Sequence, residues 1–162
     1  MRDQDSGAYT IRCARPQDIA ELVALCEEHA HFERVAYDSA AKADRLAEAL
    51  FSASPRLYAW VAVAGERGII GYATAAPEYS TWSAREYLHM DCLFVRPARR
   101  RAGVGASLLH SVIGLARELG HHEVQWQTPQ WNVDASRFYR RHGGVDQHKL
   151  RFVLGVAERP KP

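Results

Sequence analysis

The sequence predicts a mixed α/β fold, and three observations carry that expectation. Short runs with strand character, such as "YTIRCA" (9–14) and "YLHMDCLFV" (87–95), alternate with longer runs whose apolar residues recur at helical spacing. Two strand-like runs flank a short glycine turn, the mark of an antiparallel hairpin. One strand empties into "VRPARRRAGVGASLL" (95–109), where an arginine cluster and two glycines precede an apolar, helix-forming run. Read along the chain, the order is β-α-α-β-β-β-α-β-α-β.

"YTIRCA" is the first strand. In "RPQDIAELVALCEEHA" (15–30) Ile19, Leu22, Val23, Leu25 and Cys26 repeat at helical spacing, and Pro16 suits a helix start because its missing N–H has no role there. A second helix is expected through "AAKADRLAEALF" (40–51), capped by Ser39, with Pro55 closing the loop beyond it. "RLYAWVAVAGERGIIGYATAAP" (56–77) holds the hairpin, turning at "GERG". The polar, aromatic "PEYSTWSARE" (77–86) reads as a turn-rich connection before the buried strand 87–95. A long helix over 105–119 ends at Gly120, and "HEVQWQT" (122–128) is the next strand. "VDASRFYRRH" (133–142) is a short helix stopped by Gly143 and Gly144. "KLRFVLGV" (149–156) is the final strand, and "AERPKP" (157–162) a loose tail.

The 162 residues, 47% hydrophobic and 25% charged, suit one sizeable core, so a single domain over 1–162 is expected, with its core at 9–156. Lys and Arg number 21 against 19 Asp and Glu, a net charge of +2, which gives no global field for nucleic acid and makes any anion site local. Cys13, Cys26 and Cys92 form no C-x-x-C pair, which fits a reducing cytoplasm rather than a disulfide framework or zinc site. No apolar run approaches the roughly 20 residues of a membrane span, and "MRDQDSGAY" lacks signal-peptide character. A cytoplasmic protein without membrane contact is expected. His29 and His31, like His121 and His122, lack a third clustered ligand type, so they are expected at the surface and no metal is expected.

A strand that runs through a glycine turn into a helix aims several unpaired backbone N–H groups at one point, where the helix dipole also favours negative charge. Gly103 and Gly105 let a phosphate approach the backbone, and Arg99, Arg100 and Arg101 can add charge-assisted contacts. Neither G-x-x-x-x-G-K-[ST] nor G-x-G-x-x-G is present, which excludes a Walker loop and a dinucleotide fingerprint. Glycine-punctuated turns of this kind also occur for purely structural reasons.

"RRAGVG" (100–105) resembles the Q/R-x-x-G-x-G/A loop with which the GNAT acetyltransferase superfamily binds the pyrophosphate of acetyl-coenzyme A. "WNVDASRFYRRHGG" (131–144) is similar to that superfamily's second signature: an Asn, a small residue three later, and an aromatic-Tyr pair before glycine. The resemblance runs from "YTIRCA" to "RFVL". It is nearest the spermidine/spermine and thialysine N-acetyltransferases, through "EEHAHFE", "STWSAREYLHMDCLFV" and "QWNVDASRFYRR". Arg101 departs from it, since those relatives usually carry glycine there.

The resemblance implies the GNAT fold: a mixed, mostly antiparallel sheet whose parallel fourth and fifth strands splay apart, with flanking helices. It implies that acetyl-CoA contacts Leu93, Phe94 and Val95 through its pantetheine arm. The pyrophosphate would meet Arg100, Arg101, Ala102, Gly103, Val104, Gly105 and Ala106, and Asn132, Ser136 and Tyr139 would make further contacts. An amine would attack the thioester directly in a ternary complex, so no acyl-enzyme cysteine is required and Cys92 reads as packing. Tyr139 would protonate the leaving thiolate, the alternative being that Phe138 and Tyr139 only pack their helix. Asp91 interrupts the apolar "MDCLF", where a carboxylate must be paired or functional; it stands where relatives contact the amine. Glu33 matches an acidic residue of the acceptor side, with Phe32 and Trp82 as walls, and the competing role for Glu33 is a surface salt bridge.

The implied activity is acetyl-CoA-dependent N-acetylation of a small cationic amine: a polyamine, a diamino acid or an aminoglycoside-type amino sugar. In the last case the protein would serve antibiotic resistance. A homodimer is implied, with the acceptor groove near its interface. Two other classes remain: a basic nucleic-acid binder, against which the near-neutral charge counts, and a CoA-sensing protein without catalysis, which would not need Tyr139 and Asp91.

Overall fold

A computed structural model describes residues 8–65 and 68–156. Two compact units divide at Pro129 and Gln130. In the first, strand β1 (Thr10–Cys13) is followed by a 3-10 turn (Pro16–Asp18) that leads directly into α1 (Ile19–Phe32). Asp18 fixes this junction: its buried carboxylate takes two bonds from the Arg12 guanidinium, at 2.6 and 2.9 Å, and one from the Arg15 N–H at 2.7 Å. The Arg12 bond, more than burial opposes it, holds the Asp18 carboxyl below the usual carboxylate range.

Helix α2 (Lys42–Phe51) lies within the expected segment, but the Ser39 hydroxyl does not cap it. The chain enters through Ala41 in the left-handed region (φ 56°), and Ser39 contributes its carbonyl, which accepts the Lys42 N–H at 3.1 Å. Strands β2 (Tyr58–Val63), β3 (Ile69–Ser80) and β4 (Arg85–Val95) follow, then α3 (Val104–Glu118) and the two-residue β5 (Val124–Gln125). Of the "GERG" hairpin turn, Glu66 and Arg67 lie outside the described residues, as do the polar start 1–7 and the tail 157–162.

The sheet order is β1-β2-β3-β4-β5, antiparallel throughout except for the parallel β4–β5 pair. Alternate side chains of β2 divide between its faces. Ala59 and Val61 join a core with Leu22 and Leu25 of α1, Leu50 of α2, and Ile69, Tyr72 and Phe94. Trp60 and Ala62 point the other way, and α3, which buries Val104, Leu108, Leu109 and Val112, packs on β2, β3 and β4.

The expected turn-rich connection 77–86 is instead mostly ladder. Glu78 pairs with Tyr87, Tyr79 with Glu86 and Ser80 with Arg85, leaving only 81–84 to turn. Cross-strand partners, among them a bond from the Tyr87 hydroxyl to Glu78, outweigh the polar composition.

In the second unit α4 (Val133–Arg141) is capped by Asn132, whose Oδ1 accepts the Ala135 N–H at 3.2 Å. Gly143, at φ 89°, ends it, and the Gly144 N–H returns to the Tyr139 carbonyl at 2.9 Å. The strand expected at 149–156 is not formed, and Leu150, Phe152, Val153 and Leu154 are exposed. Apolar pattern alone makes no strand: the backbone needs a neighbouring ladder, and none among the described residues runs through this segment.

Candidate active site

The opening between β4 and β5 is the first part of the site. The two strands pair only at Leu88 with Val124 and His89 with Gln125, while β4 continues for six residues to Val95. Leu93, Phe94 and Val95 therefore present an edge on that side with no ladder partner among the described residues.

Asp91 stands at an irregularity on the same strand. Cys92 pairs with Thr74 and Met90 with Ala75, so Asp91 is the unmatched residue of a β-bulge. The bulge turns its side chain outward and leaves it exposed. Asp91, expected to be paired or functional because it interrupts an apolar run, is thus an exposed carboxylate at a backbone kink. Its neighbour Cys92 donates its S–H to Asp91 Oδ2 at 3.6 Å. Burial first, and the Asp91 charge second, push the Cys92 thiol up to about 12, so the side chain stays protonated and is no nucleophile at neutral pH.

Beyond Val95 a 3-10 turn (Pro97–Arg99) leads to the glycine loop. Arg101 takes φ 66° and Gly103 φ 82°, both left-handed, and α3 then starts with no side chain among the described residues capping it. The N–H groups of its first turn, at Val104, Gly105 and Ala106, are thus open to an anion. Arg101 keeps the conformation that favours glycine, at the strain cost an L side chain meets there. Arg101→Gly is therefore expected to change stability by no more than about 1 kcal/mol, relief of strain offsetting the greater chain entropy of glycine. Thermal unfolding of the two proteins checks this.

Two further residues shape the loop. The Tyr9 hydroxyl bonds the Ser107 hydroxyl at 2.9 Å and lies 3.3 Å from where a Cβ on Gly103 would stand. Arg100 does not extend over the loop: its Nε donates to the Val95 carbonyl at 2.9 Å, and its guanidinium carbon sits 4.4 Å from the Phe32 ring centre. It ties the end of β4 to the end of α1.

The end of α1 forms the third part. Phe32 lies 6.3 Å from Phe94, centre to centre, and Glu33 follows at the helix C-terminus. A carboxylate there opposes the helix dipole, and its partner one turn back is His29. Glu33 Oε1 lies 3.4 Å from Nε2 of His29, whose Nδ1 is 3.0 Å from the Tyr72 hydroxyl. The arrangement brings Phe32, Glu33, Phe94 and Arg100 together, and Asp91 acts electrostatically on His29. Trp82 is not among them. It sits 98% exposed in the β3–β4 turn, and Phe94 lies nine residues along β4 from Arg85, about 30 Å at the usual strand rise of about 3.3 Å.

In the second unit Asn132, Ser136 and Tyr139 fall on one face of α4 at i, i+4 and i+7. Asn132 is first of all the cap, and the Ser136 hydroxyl donates back to its carbonyl at 3.2 Å, which explains the Asn in helix terms. Half-buried Tyr139 packs edge-on against Phe138, 5.2 Å between ring centres.

His29, Tyr72, Tyr9 and Ser107 are the participants that sequence reasoning missed. His29 and His121 are also not the surface residues expected of them: 85% of the His29 side chain is covered (15% exposed), and His121 is buried. The left-handed Gly120 folds the chain back so that the His121 N–H reaches the Ala116 carbonyl at 2.8 Å. Among the described residues no group of three or more His, Cys, Asp or Glu is arranged to hold a metal, and no helix is long and apolar enough to cross a membrane.

Residues 19–144 match the Acetyltransferase (GNAT) family, a span that includes the splayed strands, the glycine loop and α4. The chain belongs to the GNAT acetyltransferase family. A thialysine N-epsilon-acetyltransferase of Caenorhabditis elegans is 28% identical over 135 residues, 81% of this chain and 79% of that one. An aminoglycoside acetyltransferase from an uncultured soil metagenomic sample, solved with trehalose, superimposes with a TM-score of 0.78 at 20% identity, over 94% of this chain and 99% of that one. A predicted acetyltransferase from Clostridium acetobutylicum, solved with acetyl-CoA, gives a TM-score of 0.75 at 17% identity, over 91% and 96%. The expected GNAT fold is the one observed, and the chain is an acetyltransferase whose relatives act on amines.

Proposed function

We propose that this acetyltransferase moves the acetyl group of acetyl-CoA to a primary amine of a small cationic molecule, by direct attack of the amine on the thioester. The observation that carries the reading is the unpartnered edge of β4 running into an uncapped helix N-terminus. An extended pantetheine arm can pair its amides with Leu93, Phe94 and Val95 as an added strand does, while the pyrophosphate takes the N–H groups of Gly103, Val104, Gly105 and Ala106. Arg101, beside Ala102, adds charge. Both units act as one domain in this reading, a view the family match across their division supports.

Holding amine and thioester together supplies much of the acceleration. The ammonium first gives up a proton to water; the neutral amine nitrogen then forms the new bond to the carbonyl carbon, the carbon–sulfur bond breaks, and the nitrogen's second proton passes to water, from which the group that protonates the CoA thiolate is itself replenished. Tyr139 is the donor to the thiolate, on the family pattern. Asn132 and Ser136 share its helix face and complete the CoA contacts. Glu33 and Asp91 draw in the ammonium, and Phe32 lines the acceptor side. Within one chain Trp82 lies too far along the hairpin to wall the same site, so its role there requires a second copy, in line with a homodimer. The thialysine relative favours a diamino acid or polyamine as acceptor, and the aminoglycoside enzyme shares the fold. Free cysteines, Cys13 among them exposed, suit the cytoplasm.

The test is acetyl-CoA with a panel of diamino acids, polyamines and aminoglycosides, followed by CoA release and by mass spectrometry of the product. Release with none of these amines, in a protein that binds CoA, would favour the CoA-sensing alternative. With the best amine, Glu33→Gln and Asp91→Asn should each raise the amine KM or lower kcat, by about tenfold for one lost charge-assisted contact, with acetyl-CoA affinity unchanged. Unaltered kinetics in both variants would move the acceptor site elsewhere.

A further inference from the structure

We propose that His29 is a positioning residue for acetyl transfer: clamped between Tyr72 and Glu33, its imidazole presents a fixed N–H to the carboxylate that receives the amine. The proposal deepens the acetyl-transfer reading and rests on the acceptor role given to Glu33 there.

Three elements hold the ring. His29 belongs to the last turn of α1, its Nδ1 meets the Tyr72 hydroxyl of β3 at 3.0 Å, and its plane stacks on Phe94 of β4, 4.9 Å between centres and 20° between planes. The hydrogen bonds decide the tautomer. An ionised carboxylate can only accept, so the ring nitrogen beside Glu33 carries the proton and Nδ1 is left to accept from the Tyr72 hydroxyl, which burial keeps protonated. A neutral imidazole accepting at Nδ1 carries its own proton on Nε2, the atom that faces Glu33 Oε1 at 3.4 Å.

Burial, not the charged neighbours, keeps the ring neutral. Burial lowers its pKa from the ordinary 6.5, against the pull of Glu33 on its own helix and Asp91 on β4, and with the push of Arg100 from the loop. Cys26 and Cys92, the thiols beside Tyr72, are both pushed up by burial and add no charge. A neutral N–H orients the Glu33 carboxylate without cancelling its charge, leaving that charge for the ammonium. A protonated ring would cancel it, so the amine KM should rise only once pH falls through the ring's lowered pKa, beneath the ordinary 6.5.

His29→Phe keeps an aromatic ring against Phe94 and removes both nitrogens. With the best amine, kcat/KM should fall about tenfold with unchanged acetyl-CoA affinity, as for a lost bond to a charged group. His29→Gln, whose amide N–H can stand in for Nε2–H, should recover part of the loss. In a Glu33→Gln background His29→Phe should cost little more, because the group it positions is already gone. Nitrogen-15 NMR of the wild-type imidazole gives a readout independent of turnover: Nδ1 should be unprotonated and Nε2 protonated at neutral pH. Wild-type kinetics in a folded His29→Phe protein, full additivity with Glu33→Gln, or the opposite tautomer would each overturn the proposal. A wild type that acetylates no amine would sink the functional reading instead, and the tautomer would still decide the His29 geometry. Should His29→Phe fail to fold, the tautomer and the His29→Gln kinetics remain decisive.

Discussion

Tyr139→Phe is expected to lower kcat by about 10² to 10⁴-fold, the range typical of losing a general acid. The effect should fall on kcat and leave the affinity for acetyl-CoA nearly unchanged, because the hydroxyl acts on the leaving group and the ring makes the packing contacts. Tyr139 packs edge-on against Phe138 on a helix with an Asn cap and a glycine stop, and a phenyl ring keeps that shape. Stability should therefore change by less than about 1 kcal/mol. The chemistry is within reach of a phenol: moving a proton from a group near pKa 10 to a thiolate near 8.5 is uphill by only about 2 kcal/mol. The check is kcat and acetyl-CoA affinity for both proteins, under conditions where chemistry limits turnover. A variant as fast as wild type would reduce Tyr139 to a packing residue.

Gly103→Val is expected to raise the acetyl-CoA KM on the order of 10²-fold. Gly103 sits at φ 82° and ψ −7°, a conformation that costs an L side chain roughly 1–2 kcal/mol and a β-branched one more. Its new Cβ would stand 3.3 Å from the Tyr9 hydroxyl, and its methyl groups would crowd that side chain or the space the phosphate needs. Displacing the loop forfeits charge-assisted N–H contacts, each worth about 1.5–3 kcal/mol, and this with the strain gives the expected magnitude. The sheet and α3 should persist with about 1–2 kcal/mol less stability, because the residue precedes the helix and is outside the core. Calorimetric titration of CoA into a variant shown to be folded by circular dichroism is the check. Unchanged affinity would remove the glycine loop from the site.

How far the sequence reached depended on whether the signal was local. The helices of "ELVALCEEHA" and "GASLLHSVIGLARE" declare themselves through apolar spacing; the second lies within a residue of expectation, while the first starts at Ile19, after a 3-10 turn takes up Pro16–Asp18, and runs on to Phe32. The glycine loop is legible because a left-handed turn needs residues that tolerate it, and Arg101 shows that the backbone there is set by the loop as a whole. Strand extent was less legible, since a ladder depends on the partner. Polar 77–86 became hairpin because opposite residues pair, and apolar 149–156 stayed irregular. Asp91 could be noticed as a carboxylate in an apolar run, but the bulge that exposes it is a mismatch between two strands and cannot be read from one. For His29 there was a usable sign: it falls at helical spacing with Leu22 and Leu25, both fully buried, which puts it on the inner stripe of α1. The Tyr9–Ser107 bond joins residues far apart in the chain and had no local sign.

The most direct test of the central claim is a single-turnover experiment with acetyl-CoA labelled in the acetyl group, enzyme in excess, and the best amine of the panel. The reaction is quenched over time, and label is counted on CoA, on the protein and on the amine. Direct attack in a ternary complex predicts that label leaves CoA only when amine is present, appears on the amine nitrogen at the same rate, and never accumulates on the protein. Label on the protein, at Cys92 or elsewhere, released at the rate the product forms, would contradict it.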